Sequence, residues 1–474
     1  MRLTALSLAP LLACTPAAKT DTAGLATCVI DPPAEGALST DGPLIRDATG
    51  RAVWLRGVNA GGRSKFAPYM PFEAADFDTG LADYLDRAAT WGIDVLRVPF
   101  TWAALEPVDG QWDTEWLSRY DALINGAWER EMWVIVDFHQ DVYGEFYCGD
   151  GFPAWTVLDP PAPHHDCPDW FTAYLGNDEV SAAFDAFWAD STGVRSAQVQ
   201  MWQALAAHFA DHPGVIGYEV LNEPGWGTAN RTTWAAEVVT PYYTEVAAAV
   251  HASDPDALVL FDSTGLDAVV AHTDLARPVG DNLVFAPHFY DPAILAGGDT
   301  LSVDPAVMLA SWASYANDWD LPVLIGEMGV QPDFVDATAY TRAQYDALDV
   351  NQLHATWWEY SVAHELWNEE RLSIVDGDGT EYAAVVDGLA RPFPRAVAGT
   401  DVYWTAVDGR FDLSYTGDPG GVTEVRLPTR SATDGGWAGG DAVVVSGSGG
   451  CVDQRPDRVY VRADGGLVTL VVEG

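Results

Sequence analysis

Between about residues 50 and 360, short apolar runs alternate with longer stretches whose apolar positions recur at helical spacing. The runs are AVWLRGVN (52–59), DVLRVPF (94–100), MWVIVDFHQ (132–140), VIGYEVLNEP (215–224), LVLFDS (258–263), LVFAPHFY (283–290), VLIGEMG (323–329) and HATWWEY (354–360). Amphipathic segments such as GLADYLDRAATWG and AQVQMWQALAAHFADH lie between them. Strands that alternate with helical crossovers predict a parallel sheet, and eight repeats predict an α/β fold of the (β/α)8 barrel type over residues 41–394. After RPFPRAVAGT (391–400) the helical rhythm stops. Six short β-like runs separated by Gly, Asp and Pro follow, which predicts a small C-terminal all-β sandwich over 395–474.

Polar residues gather where the apolar runs stop. Run one ends in Asn59, run two carries Arg97, run three gives His139 and Asp141, and run four gives Asn222 and Glu223. Run six gives His288 and Tyr290, run seven Glu327, and run eight Trp358. A barrel interior favours branched apolar side chains, so packing does not explain this, whereas an active site at the C-terminal ends of the strands does. Runs four and seven face each other across the barrel mouth, and two carboxylates flanking a bond are the machinery of glycoside hydrolysis. Strict alternation points Glu219, Leu221 and Glu223 to one face and Asn222 to the other. Both Asn222 and Glu223 therefore reach a common site only where the strand ends or bulges. Glu219 reads as a structural polar group deeper in the barrel, and Glu145 and Glu359 are competing carboxylates.

LNEP on run four together with GE on run seven resembles the cellulase-type glycoside hydrolases of family 5, retaining enzymes on a (β/α)8 barrel. That resemblance implies Glu223 as general acid/base and Glu327 as nucleophile. It also implies that Arg97 supports the nucleophile, Asn222 holds the sugar 2-hydroxyl, and Trp358 floors the sugar site. His139 matches the family's run-three histidine, and His288 and Tyr290 its run-six pair. LRGVNAGGRSK (55–65), VDFHQDVYGEFYCGDGFPAW (136–155) and RPFPRAVAGT followed by a sandwich are similar to the endoglycoceramidase branch, which cuts oligosaccharide from ceramide. That narrower likeness adds Lys65 and Asp141 to His139. The loop from Tyr147 to Phe171, with PPAPHHDC, departs from the branch and keeps an endo-β-glucanase open as the alternative, alongside a catalytically idle glycan- or glycolipid-binding protein. The implied chemistry calls for no cofactor and no metal, and the His pair of HHDC (164–167) reads as exposed.

Charge and cysteines refine the setting. With 69 acidic against 24 basic residues the net charge is −45, which repels nucleic acid and anionic headgroups. The expected partner is a carbohydrate or glycolipid, and 20 tryptophans suit stacking on sugar faces as well as core packing. MRLTALSLAPLLAC reads as an export signal over 1–14, followed by a tether and N-terminal segment over 15–40. The signal is either a bacterial lipobox ending at Cys14, the lipidation candidate, or an ordinary secretory one. The expected location is the cell envelope or outside the cell, with membrane contact only through an N-terminal lipid anchor and a lipid substrate. Four further cysteines allow three pairings. Cys148 with Cys167 is the local one, which leaves Cys28 with Cys451.

Overall fold

The computed structural model describes residues 25–164, 167, 170–364, 371–407, 409–430, 432, 437, 439, 442–447 and 449–474. The candidate lipidation site Cys14 lies outside the described residues. Eight parallel strands form one sheet: Arg56–Asn59, Val95–Phe100, Trp133–Phe138, Val215–Glu219, Leu258–Phe261, Leu283–Phe285, Leu324–Ile325 and His354–Trp357. We number them barrel strands one to eight. Strands one to six pair in order, seven pairs with eight, and eight pairs with one. Parallel bridges from Phe285 to Val323 and from Phe289 to Met328 join six to seven, closing the (β/α)8 barrel.

Strand alternation builds the core and then the site. Leu96, Val98 and Phe100 of strand two, and Val134, Val136 and Phe138 of strand three, pack outward against the helices. The opposite positions at the strand bases, Val95, Trp133, Ile135, Leu258, Leu260, Val284, Ala286 and Leu324, fill the barrel interior. Followed upward on that inner face, Val95 gives way to Arg97, Ile135 to Asp137 and His139, Leu260 to Asp262, and Ala286 to His288. A period of two in side-chain direction thus turns an apolar floor into a polar mouth.

The boundary of the sandwich differs from the expected one. Ala52–Val53, within the first predicted run, pairs with Phe393–Val397 and leaves the barrel to Arg56–Asn59. Continuous burial of 51–60 cannot say which sheet a strand joins, and the break falls at Trp54, whose ring meets Trp404 edge-on at 5.0 Å. Ser39–Asp41 and Leu44–Arg46 extend the same sheet, and Ala26–Thr27 pairs with Gly450–Arg455, a strand the sequence reading passed over. An eight-stranded sheet of N- and C-terminal strands therefore faces the four strands Gly399–Val407, Arg410–Gly417, Ala442–Ser446 and Gly466–Glu473. Trp404, Phe411, Leu413, Val425, Val459 and Leu470 pack between them. Under the barrel, Arg395 lies over the Trp133 ring at 4.0 Å and reaches Glu35 and Glu424 at 2.6 and 3.3 Å. Among the described residues no helix is long and apolar enough to cross a membrane.

The cysteines pair as Cys28–Cys451 and Cys148–Cys167, with Cα separations of 5.7 and 6.1 Å. The first bond closes a loop of almost the whole chain, with a sequence separation of 423. Replacing Cys28 and Cys451 together by Ser should lower the unfolding free energy by about 2–4 kcal/mol. Denaturant midpoints of the oxidised proteins check this, with an unchanged midpoint counting against it.

Candidate active site

Glu327 stands just past strand seven, 5% exposed. Arg97 Nη1 donates to one carboxylate oxygen and the Tyr290 hydroxyl to the other, at 2.8 and 2.9 Å. Arg97 has no solvent exposure. Its Nε and Nη2 form a two-pronged bond to Glu219, each at 2.8 Å, and Asn59 and Asn222 accept from it at 2.8 and 3.0 Å. Asp137 lies 3.2 Å away. Glu219 is thus the structural carboxylate the alternation implied.

Strand four ends at Glu219, before the Asn-Glu pair. Free of the ladder, Glu223 takes a left-handed backbone (φ 37°), and both side chains turn into the mouth. Gln140 Nε2 donates to the carbonyls of Asn222 and Glu223 at 2.9 and 2.8 Å, and the Glu223 N–H donates to Asp262 at 3.0 Å. The Glu223 carboxylate meets His288 Nδ1 at 2.8 Å. Gly265 gives this carboxylate room: a Cβ there would stand 2.4 Å from Glu223 Oε2.

One oxygen each of Glu223 and Glu327 and a nitrogen of His288 lie within 4.8 Å of one another. That spacing would admit a metal ion, but Arg97 and the His288 imidazolium already supply the positive charge. Burial raises the His288-opposed Glu223 carboxyl, helped by the charges of Glu327 and Asp141. Burial also works against ionised Glu327, yet His288, Arg97, His139 and Lys65 overcome it and hold that group below its usual range. Two carboxyls driven apart in this way suit an acid and a nucleophile. Burial opposes charge on His288 as well, but Asp262, Glu327 and Glu223 push it up to about 10.

A second cluster lies on the strand-one and strand-three side. The short turn Gly62–Lys65 delivers Lys65, whose Nζ reaches Asp141 at 2.7 Å and sits 4.6 Å over the Trp358 ring. The His139 ring stacks on Trp358 at 5.1 Å and bonds Asp137 through Nδ1 at 2.9 Å. Glu359 proves structural, accepting from the Gly62 N–H at 2.5 Å and from the Ser361 hydroxyl at 2.6 Å. Glu145 accepts from the Tyr69 hydroxyl at 2.6 Å, away from the dyad. Cys148 and Cys167 are joined to each other, so His164 is the one described donor left at HHDC.

All ten noncysteine candidates, Lys65, Arg97, His139, Asp141, Asn222, Glu223, His288, Tyr290, Glu327 and Trp358, converge on this mouth. Asp262 and Gln140 were missed. Asp262 ends run five by the same rule that found the others, and its signal was hidden because Asp-Ser also opens a turn.

A closed (β/α)8 barrel carrying two opposed carboxylates at its C-terminal mouth defines the glycoside-hydrolase class of site. Residues 47–364 match the family model Cellulase (glycosyl hydrolase family 5), and the chain belongs to that family. It is 32% identical over 191 residues to Endoglycoceramidase I of Rhodococcus hoagii (strain 103S), covering 40% of this chain and 37% of that one. It is 24% identical over 280 residues to Endoglycoceramidase of Cyanea nozakii, covering 52% and 55%. The matches thus span about half or less of those curated relatives. Endo-glycoceramidase II from Rhodococcus sp., solved as a ganglioside GM3 complex, superposes with a TM-score of 0.75 at 26% identity, over 91% of this chain and 99% of that one.

The buried histidines make stability fall with rising pH. His288 and His139, both raised to about 10, bind protons that the unfolded chain has released above about 6.5. Their contribution is complete below pH 6.5 and is lost as pH climbs through 10. Denaturant unfolding across that window should show the decline in wild type and a shallower one in His288→Gln; parallel profiles would contradict it.

Proposed function

We propose that the protein is a retaining β-glycosidase that hydrolyses glycosphingolipids to oligosaccharide and ceramide. The reading is carried by the two carboxyls, with oxygens within 4.8 Å and proton affinities shifted in opposite directions. Retaining glycosidases place their carboxyls about 5–5.5 Å apart, whereas inverting ones leave about 6.5–9.5 Å for a water. Glu327, held ionised and aimed by Arg97 and Tyr290, attacks the anomeric carbon while Glu223 gives its proton to the departing oxygen. A glycosyl ester on Glu327 and a free alcohol result. Glu223, now a carboxylate, takes a proton from water, whose oxygen displaces Glu327 and restores the original configuration.

The neighbours have matching tasks. The Asn222 oxygen accepts from Arg97 and one amide hydrogen goes to the Gln140 carbonyl at 3.2 Å, so its second hydrogen is the one for the 2-hydroxyl. Lys65, Asp141 and His139 present charged and polar atoms beside the Trp358 ring, as a polyhydroxylated ring requires. The likeness to endoglycoceramidases supports the glycolipid substrate. The N-terminal signal pattern and two disulfides support export into an oxidising compartment, as a lipoprotein or a secreted protein.

Incubation with glucosyl-, galactosyl- and lactosylceramide, a ganglioside and a soluble β-glucan tests the reading. Ceramide should be released by wild type and not by Glu327→Gln. Glucan cleavage alone would transfer the protein to the glucanases, and inertness on every substrate would favour a binding protein. Glu223→Ala should slow glycolipid cleavage by about 10²–10⁴-fold. It should still turn over a dinitrophenyl β-lactoside, and added azide should be captured as the β-lactosyl azide; an α-azide would exclude retention.

A further inference from the structure

The two oxygens of Glu223 have different surroundings. Oε1 faces His288 Nδ1 at 2.8 Å. A protonated imidazole donates there, so the transferable proton belongs to Oε2. A Cβ on Gly265 would lie 2.4 Å from that oxygen and 3.3 Å from Cε2 of Phe171. The space beside the proton is therefore bounded by a bare Cα and the edge of a phenyl ring. Because the leaving oxygen takes this proton, the first atoms of the leaving group must occupy that space.

Phe171 is held there by the loop that departs from the endoglycoceramidase pattern. The Cys148–Cys167 disulfide closes the loop, and the Trp170 N–H donates to the Cys167 carbonyl at 3.0 Å. Phe171 packs edge-on against Trp170 and against Tyr174, with ring centres 5.7 and 5.6 Å apart. The Tyr174 hydroxyl accepts from Gln140 at 3.1 Å and from the Val142 N–H at 2.8 Å, and Gln140 in turn fixes the Glu223 carbonyl. The position of Phe171 is thus tied to that of the acid. Of the charged groups nearby, Arg231 and Asp267 pair with each other and hold Thr264, and Lys65, 6.0 Å over the Trp170 ring, pairs with Asp141.

We propose that Phe171 and the bare Cα of Gly265 form the leaving-group contact and select an apolar chain, a lipid alcohol, over a second sugar ring. The proposal rests on the glycosidase reading and names its leaving group. A sugar there would bring hydroxyls that neither surface can bond, and a buried unpaired hydroxyl is costly. The first methylenes of a lipid alcohol lose nothing and gain apolar contact.

The test compares kcat/KM for lactosylceramide in mixed micelles, for β-lactosyl fluoride, whose leaving group is a single atom, and for a soluble cello-oligosaccharide. Phe171→Ala should lower the ratio of lactosylceramide to lactosyl fluoride activity by about tenfold, the scale of a lost apolar contact. Phe171→Leu should recover most of it. The double change Cys148→Ser with Cys167→Ser should lower the same ratio by releasing the loop. An equal loss on both lactosides, or a wild type that prefers the cello-oligosaccharide, would overturn the inference and leave the glycosidase intact. A wild type inert towards lactosyl fluoride would instead defeat the glycosidase reading itself.

Discussion

The guanidinium of Arg97, with no contact to solvent, is the group around which the barrel mouth is arranged. A buried cation is tolerable only where counter-charges and hydrogen bonds replace its water. Arg97 finds them at four other strands and the turns that follow them: Asn59, Asp137, Glu219, Asn222 and Glu327. Its planar fork bonds Glu219 twice and leaves a third direction for Glu327, a geometry that a lysine ammonium does not provide. The strand spacing, the end of strand four and the orientation of Glu327 are consequently parts of one electrostatic arrangement.

That arrangement also explains why the two carboxyls behave differently. Within the mouth, Asp137, Asp141, Glu219, Glu223, Asp262 and Glu327 face Lys65, Arg97, His139 and His288. Acids outnumber cations, and in a poorly solvated site the excess cannot remain ionised. Burial raises Glu219, Glu223 and Asp262, the first despite its two bonds to Arg97, whereas Glu327, with His288 and Arg97 beside it, and Asp141, with Lys65, are lowered. For Glu223 burial outweighs His288, whereas Glu327 has Arg97, His139 and Lys65 in addition. His288 is shared between them, so a proton leaving Glu223 changes the field at Glu327.

The barrel was legible because its signal is periodic and repeated, and the candidate site residues because polar side chains at strand ends conflict with a packed interior. Both glutamates, Arg97 and Tyr290 follow from that single conflict. Asp262 escaped because Asp-Ser after an apolar run also reads as a turn. The partition of 52–59 between two sheets escaped for a different reason: burial on both sides erases the alternation that would mark a change of sheet. Likewise Ala26–Thr27 and Gly450–Arg455 are too short or too polar to stand out, and their pairing is a contact between chain ends that no local pattern encodes.

The same scarcity of positive charge reaches the surface. Of the 24 basic residues, Arg51, Arg56, Arg63, Lys65, Arg97, Arg395, Arg426 and Arg458 are buried. A third of the cations are thus taken up inside the fold, Lys65 and Arg97 at the barrel mouth and Arg395, Arg426 and Arg458 between barrel and sandwich among them, and fewer are left to offset the acidic exterior. More acidic than basic side chains are buried as well among the described residues, so the exterior carries most, but not all, of the net charge of −45. Its self-repulsion opposes the compact state and weakens as salt shortens the Debye length, whereas the buried pairs are screened far less. Ionic strength consequently acts on the fold mainly through the exterior, while the proton balance of Glu223, His288 and Glu327 stays insulated inside the barrel.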